Sequence, residues 1–590
     1  MAQEYPYRQA MLSLRIREGG NPPCEKHCPI HPRRIHCGWD KSSWDYSDWP
    51  YSPRLAVRFI SPWATSPHRP KPLKRRCRVP VLSRNSRLLA PFLVVAALVF
   101  SNGAAAQTVR FLDTNPEQVG LAQPYEAGLP DGLWQGTTPQ RLAAAIAGLP
   151  PRISSPAQHS MLVNLLRVAA APPPGDSVTP SLASLRVAAL ARLGAEQDAL
   201  DLAERVDQSL ADQPLWDARA TVGLLRNDLA GVCTLTAQSG ENGTSAFWQR
   251  LRAFCHLLRG QEEEAMVAVM LADELGADDP TFNAMFLARQ FPQRATTLSV
   301  TPSTPLHVAM LRALNVPMIA PKWPDASPTL AAGIARLPTA GLELRTAAAE
   351  RAVAANVLPA DLLVQLYLAT ELTTPLGVAY RQAAFASSPA QQLPALDAFW
   401  SAAAAAGLYA QLAPFTLANI AGLGRTAVPP DFAAKALRAA VIAGDVGSIG
   451  VWQGALRAAA FQPVGTDARD ASYAIQALVG EEVPPPHIWW GAWRKAAKPS
   501  NAQAALAAGM LQALGSPAPD TKPPQADRSA AGRALAAASM GEAALLAISA
   551  LSGSPPPSDG LKVQAVEALA QVDPAGARAI AVELALAAGI

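Results

Sequence analysis

Cysteine and histidine side chains crowd together near the start of the chain, within the run CEKHCPIHPRRIHC. The run holds three thiols and three imidazoles: Cys24, His27, Cys28, His31, His36 and Cys37. Zinc prefers such ligands, but its sites usually hold them as pairs two to four residues apart, separated by a longer loop. Here the ligand types alternate without that arrangement. A metal knuckle is therefore the less favoured interpretation, and we expect no metal or other cofactor.

Cys233 and Cys255 are the second candidate pair. They flank the loop SGENGTSA, and the helices on either side of such a loop should run antiparallel. In an oxidising compartment this spacing predicts a disulfide across the hairpin, which would stabilise the fold by about 3 kcal/mol. Two buried thiols in adjacent helices are the alternative. The pair is structural in either case.

Aromatic and basic residues meet in PPPHIWWGAWRKAAK, where Trp489, Trp490 and Trp493 precede Arg494 and Lys495. Trp489 and Trp493 share a helix face because they are four residues apart. Aromatic platforms with basic neighbours can bind sugars or anionic lipid headgroups. Large aromatic side chains also fill gaps between alanine-rich helices. The sequence favours packing and leaves ligand binding as the alternative.

The sequence contains no further pattern that indicates catalysis. The four histidines after residue 107 are isolated from one another: His159, His256, His307 and His487. We find no HExxH, P-loop or GxSxG motif, and no GxGxxG in a dinucleotide-binding context. The acidic run Glu262–Glu264 follows Gly260 and is typical of a solvated first helical turn. We therefore expect no catalytic, cofactor-binding or metal-ligating residues, and a protein that is not an enzyme.

An export signal is predicted at residues 81–106. Arg84 and Arg87 precede an apolar core from Leu88 to Phe100, and small residues lead to a cleavage site between Ala106 and Gln107. The core is too short for a membrane-spanning helix, which needs about 20 residues. No cysteine follows it that could carry a lipid anchor. We expect a periplasmic or secreted bacterial protein without a transmembrane helix.

The segment that precedes this signal, at positions 1–80, differs from the rest of the chain. It shows no sustained apolar period, so we interpret it as disordered and as an over-extended gene start, with Val81 as the true first residue. Residues 1–106 contain 17 Lys and Arg against 6 Asp and Glu, a net charge of +11. The total of +4 therefore leaves −7 for residues 107–590. A mildly acidic product argues against a nucleic-acid partner.

Two segments after residue 180 repeat a pattern. LRVAALARLGAEQDALDLAERV aligns with LRAFCHLLRGQEEEAMVAVMLA, which places Gly194 on Gly260 and Ala199 on Ala265. The glycine can end one helix in the left-handed conformation, and the alanine lets the next helix pack closely. These positions resemble the tetratricopeptide family, and the offset between the two copies is about twice the length of that family's repeat unit. The resemblance implies helical hairpins that stack in series.

We therefore predict an all-α protein, an α-solenoid of stacked alanine-rich hairpins like those of tetratricopeptide proteins. The predicted solenoid begins with an irregular segment that contains short helices, at 107–175. The helical repeats follow at 176–300, the solenoid continues at 301–515, a proline-rich linker lies at 516–527, and C-terminal helices lie at 528–590.

Such a fold suggests a non-enzymatic envelope scaffold that binds another envelope protein through a helical groove. The alternative is an envelope polysaccharide- or peptidoglycan-processing, or glycan-binding, protein with a helical superstructure. Lytic transglycosylases of that kind carry a catalytic Glu in a Glu-Ser context, and no Glu-Ser dipeptide occurs here.

Overall fold

The computed structural model describes residues 115–590, apart from residues 277, 292–297, 424–427 and 462. Contacts divide the chain into two units, Met1–Ala106 and Gln107–Ile590, and the described residues all belong to the second. The predicted disorder at 1–80, the signal at 81–106 and the cysteine–histidine run lie outside the described residues. The same holds for the cleavage site at Ala106 and Gln107.

The described part of the chain is helical, and 25 of its helices have seven or more residues. The first nine are α1 (Pro139–Ala147), α2 (Pro156–Arg167), α3 (Leu182–Arg192), α4 (Glu196–Arg205), α5 (Gln213–Arg226), α6 (Leu229–Gln238), α7 (Ala246–Leu258), α8 (Glu262–Glu274) and α9 (Pro280–Gln290). The next eight are α10 (Pro305–Leu314), α11 (Pro328–Ala335), α12 (Leu342–Ala354), α13 (Ala360–Tyr367), α14 (Pro375–Phe385), α15 (Pro389–Ala405), α16 (Pro430–Ala443) and α17 (Val446–Ala459).

The last eight are α18 (Pro463–Ala471), α19 (Tyr473–Val479), α20 (Pro486–Ala497), α21 (Asn501–Ala513), α22 (Ala530–Ala537), α23 (Met540–Leu551), α24 (Asp559–Ala570) and α25 (Pro574–Ala587). Shorter helical turns lie between them, at Pro124–Ala127, Gln208–Leu210, Gly240–Gly243, Trp323–Asp325, Tyr409–Leu412, Ala413–Thr416 and Leu417–Ala421. Among the described residues there are no strands, only isolated bridges of Ala122 with Val168 and of Val300 with Met318. The all-α class is confirmed.

Proline and a capping side chain together begin many of these helices. Thr138 accepts a hydrogen bond from the Arg141 amide, and Pro139 follows at the first helical position. Proline is favoured there because its missing N–H would have had no partner within the helix. The same combination of a capping Ser, Thr or Asp and a following proline begins α2, α9, α10, α11 and α25.

The predicted repeat corresponds to two helical hairpins, α3–α4 and α7–α8. Gly194 and Gly260 stand between the paired helices with φ of 77° and 73°, a conformation that glycine adopts without strain. Ala199 and Ala265 are buried against the preceding helices, as the pattern predicts. The helices pack in neighbouring pairs along the chain, which agrees with the resemblance to tetratricopeptide-like hairpins.

Helices from the two ends of the described chain pack together. One hydrophobic core contains Leu142 of α1 and Leu162 of α2 together with Leu545 of α23 and Ile580 of α25. In an open solenoid each repeat contacts only its neighbours, and polar capping repeats protect the two ends. Here the apolar faces of the first and last helices cover one another. The array of helical pairs therefore closes on itself, a feature that a linear solenoid lacks.

The segments expected to be irregular are held by specific contacts. Glu117 accepts hydrogen bonds from the amides of Leu182 and Ala183, which begin α3. The proline-rich stretch at 516–527 contains no helix and runs along α24, where the amide of Asp527 donates to Gln564. Both stretches are parts of the packed structure.

Candidate docking surface

Helix α8 is the most unusual surface element of the described chain. It begins after Gly260 with three glutamates, whose charge suits the positive end of the helix dipole. Its buried face packs against α7 and consists of small side chains, namely Ala265, Ala268, Val269 and Ala272. Small residues on this face let the two helices approach closely.

The opposite face of α8 is apolar, bulky and exposed. Its side chains and their exposed fractions are Met266 (39%), Val267 (53%), Met270 (55%), Leu271 (43%) and Leu275 (53%), the last just beyond the helix end. Positions 266, 267, 270 and 271 form one stripe because residues three and four apart are neighbours on a helix. A surface helix usually turns its larger apolar residues towards the core. In α8 the small residues face inward and the large ones face solvent.

Exposed apolar side chains are concentrated around this helix. Of the eighteen large hydrophobic side chains that are exposed among the described residues, eight lie between Leu258 and Phe291. Single exposed apolar residues are ordinary, whereas contiguous patches mark interaction surfaces. Methionine is common on such surfaces because its flexible side chain adapts to different partners. The outer face of α8, defined by the five side chains at positions 266, 267, 270, 271 and 275, is therefore the candidate docking surface.

Acidic side chains border this face at both ends. Glu262, Glu263 and Glu264 lie in the first turn, and Asp273 and Glu274 lie in the last, all of them exposed. None of these five carboxylates has a basic partner within 4.0 Å among the described residues. From residue 261 to residue 279 the sequence holds seven acidic residues and no Lys or Arg. The surface is thus both apolar and strongly negative.

The disulfide candidates lie on α6 and α7, the two helices that precede α8. Cys233 of α6 and Cys255 of α7 have Cα atoms 5.5 Å apart and sulfur atoms at bonding distance. Both side chains are buried. A bond between them ties α7, on which α8 packs, to the preceding helix.

The three tryptophans of α20 face the interior. Trp489 and Trp493 are fully buried and Trp490 is 9% exposed, with ring centroids of Trp490 and Trp493 4.7 Å apart. Arg494 and Lys495 point to solvent, so the aromatic and basic groups lie on different faces. The three indole N–H groups have no hydrogen-bond partner among the described residues. This arrangement fits packing and presents no aromatic platform to a ligand.

A cavity of about 450 Å³ lies between α15, α16 and α25 and is an alternative candidate site. Its lining includes Lys435, Arg438 and Tyr409. Lys435 pairs with Asp397. Burial raises the pKa of Tyr409 to about 12, although the nearby Arg438 guanidinium acts in the opposite direction. Tyr409 is thus a neutral hydrogen-bonding group at physiological pH.

His307 forms a polar cluster that the sequence pattern did not reveal. Its Nε2 lies 2.9 Å from Asp279 Oδ2, and its Nδ1 accepts the backbone N–H of Ser303 at 3.2 Å. The Ser303 hydroxyl is 3.3 Å from the same Nδ1. A serine nucleophile needs a histidine lone pair that is free to take its proton. Here the backbone amide already occupies that lone pair, so the cluster holds the start of α10.

Comparison of the chain with models of known protein families, with curated protein sequences and with solved structures finds no match. Within the described residues, no helix combines the length and apolar character needed to cross a membrane. The same residues contain no cluster of three or more His, Cys, Asp or Glu side chains that could hold a metal ion.

Sequence reasoning missed the candidate docking surface itself. The sequence predicts a solvated acidic first turn, and the structure places Glu262–Glu264 of α8 in solvent. The available signal was the alternation of alanines at 265, 268 and 272 with Met266, Val267, Met270 and Leu271. It gives the helix two apolar faces of different size.

Proposed function

We propose that this chain is an exported bacterial envelope protein, periplasmic or secreted, that acts as a non-enzymatic helical-repeat scaffold. Another envelope protein binds to it through the outer face of α8. The observation that carries this proposal is that α8 buries its small apolar side chains and exposes its larger ones, so that four larger apolar residues of one helix contact solvent. About half of each side chain is already covered, so completing its burial would contribute about 1 kcal/mol, and a partner that covers this face would supply that burial.

The export part of the proposal depends on the basic, apolar and small residues in the order found at 84–106. Intact mass of the protein from a periplasmic extract should match a chain that starts at or near Gln107. Peptides from residues 1–80 in the native host would contradict the interpretation of that segment as an over-extended gene start.

The glycan-binding or polysaccharide-processing alternative has less support. An aromatic platform of Trp489 and Trp493 would supply the glycan binding, but both side chains are buried. Sugar recognition needs an aromatic face that the ligand can reach.

Site-specific crosslinking tests the scaffold. A photoreactive amino acid replaces Met270 in one variant and Val446 in a control; Val446 is 74% exposed and begins α17. We expect the probe at position 270 to capture one defined envelope protein, identified by mass spectrometry, that position 446 does not capture. Equal capture at the two positions, or none at position 270, would remove the support for α8 as the docking surface.

A further inference from the structure

The outer face of α8 also carries information about what covers it, because its apolar stripe lies between two groups of carboxylates. Glu262–Glu264 stand at one end and Asp273 and Glu274 at the other. The helix has 13 residues and is therefore about 20 Å long, the length of three to four helical turns. A second helix of similar length, laid along the stripe, would place its ends beside the two acidic groups.

We infer that the partner segment that covers this face is a basic amphipathic helix. Its apolar face lies on Met266, Met270 and Leu271, and its Lys or Arg residues lie opposite the carboxylates at the two ends. Opposite charges around an apolar contact speed the encounter and select the partner. Helices that dock in this way present apolar residues at positions i, i+3, i+4 and i+7. This inference names the class of partner and rests on the proposed function.

The charges disfavour a second copy of the chain as the occupant. A two-fold symmetric contact brings the same surface of both copies together. If two copies of α8 lay antiparallel, Glu262–Glu264 of one would meet Asp273 and Glu274 of the other. With no Lys or Arg from residue 261 to residue 279, the helix supplies no charge that would offset this repulsion. An anionic bilayer surface would be repelled in the same way.

Two synthetic peptides test the inference on the full chain. One is an amphipathic helix with a leucine face and a lysine face, and the other replaces each lysine by glutamate. Fluorescence anisotropy of the labelled peptides should show that the lysine peptide binds at least ten times more tightly than the glutamate peptide. Raising the salt concentration about tenfold, from about 50 mM, should weaken binding of the lysine peptide at least tenfold because salt screens exposed charges.

Variants then assign this binding to α8. The triple variant Met266→Gln, Met270→Gln and Leu271→Gln should weaken binding of the lysine peptide at least tenfold. The control variant Val446→Gln with Ile488→Gln changes exposed apolar residues elsewhere and should leave this binding unchanged.

The acidic border needs a separate pair of variants. Glu263→Gln, Glu264→Gln and Glu274→Gln together should weaken binding of the lysine peptide about fivefold and reduce its salt dependence. Glu482→Gln with Asp520→Asn, two exposed acids outside the surface, should change neither. All of the substituted side chains are exposed, and thermal denaturation checks that every variant remains folded.

Several results would overturn the inference. Equal affinity for the two peptides would contradict a basic partner helix. So would lysine-peptide binding that the α8 variants leave unchanged. In either case, successful crosslinking at position 270 would still support the proposed function. Crosslinking at position 270 that yields only a second copy of this chain, or binding of anionic phosphatidylglycerol vesicles that the α8 variants abolish, would overturn both.

Discussion

Arg141 and Glu542 form an ion pair at 2.8 Å although 401 residues separate them in the chain. Thr137 donates a second hydrogen bond to the same carboxylate, which is almost fully buried. The contact joins α1 to α23, where the first and last helices share one core. It shows in two side chains how the array of helical pairs closes on itself.

Removing this carboxylate should destabilise the protein. Exposed ion pairs contribute at most about 1 kcal/mol, but Glu542 is buried and its loss leaves Thr137 without its acceptor. We expect Glu542→Ala to lower the free energy of unfolding by about 2–3 kcal/mol in urea titrations. Arg141→Ala should cost at least as much, because it leaves the buried charge with Thr137 alone. Glu567→Ala, on the exposed side of α24, should stay within about 0.5 kcal/mol of the parent.

Truncating a tryptophan of α20 tests its assignment to the core. Trp489 and Trp493 are fully buried, so replacing either by alanine should lower the free energy of unfolding by about 3–5 kcal/mol and reduce the melting temperature. Ile488 lies on the same helix but is 55% exposed, and Ile488→Ala should change little. If both tryptophan variants melt like the parent, the stretch becomes a candidate ligand platform again.

The cysteine pair should be oxidised in the exported protein. Cys233 and Cys255 are buried on neighbouring helices with Cα atoms 5.5 Å apart, within the range that a disulfide spans. Alkylation in denaturant without reductant should leave both unlabelled, and alkylation after reduction should label both. Replacing both by serine should cost about 3 kcal/mol. Quantitative labelling of both cysteines in denaturant before reduction would show that they are buried free thiols and would contradict the disulfide.

Glu583 of α25 should make stability depend on pH. Burial raises the pKa of its carboxyl, although hydrogen bonds from Ser155 and from the Ala157 amide act in the opposite direction. The folded state therefore holds this proton more tightly than the unfolded state, in which the glutamate pKa is about 4.3. The contribution of this group to stability is largest at low pH and is lost as pH rises from there through the raised pKa.

Glu583→Gln should abolish that loss because the amide oxygen still accepts hydrogen bonds but does not titrate. In urea titrations between about pH 4 and pH 7, the stability of the variant relative to the parent should increase with pH. Glu567→Gln removes the same charge from an exposed position and controls for the change in net charge. A constant difference between the Glu583 variant and the parent across this range would contradict the prediction.

The sequence by itself determined the helices and much of what they bury. The spacing of Leu396, Phe399, Trp400 and Ala403 predicts one shared helix face, and a following glycine at position 407 predicts the end of that helix. All four side chains are buried in α15, and Gly407 has a positive φ. Such patterns are local: spacing on a helix and the conformational freedom of glycine depend on residues a few positions apart.

Tertiary structure decided which helices meet and which apolar face of a helix is covered. Gly194 was predicted as a helix end, but a side chain there would also come within 2.3 Å of the Val357 carbonyl oxygen, which no local pattern reveals. Helix α8 has apolar residues on both faces, and only the position of α7 selects the alanine face for burial. Likewise Arg141 reaches Glu542 only because the closed path of the chain returns α23 to α1. Burial depends on neighbours that are distant in sequence, and helical periodicity carries no information about them.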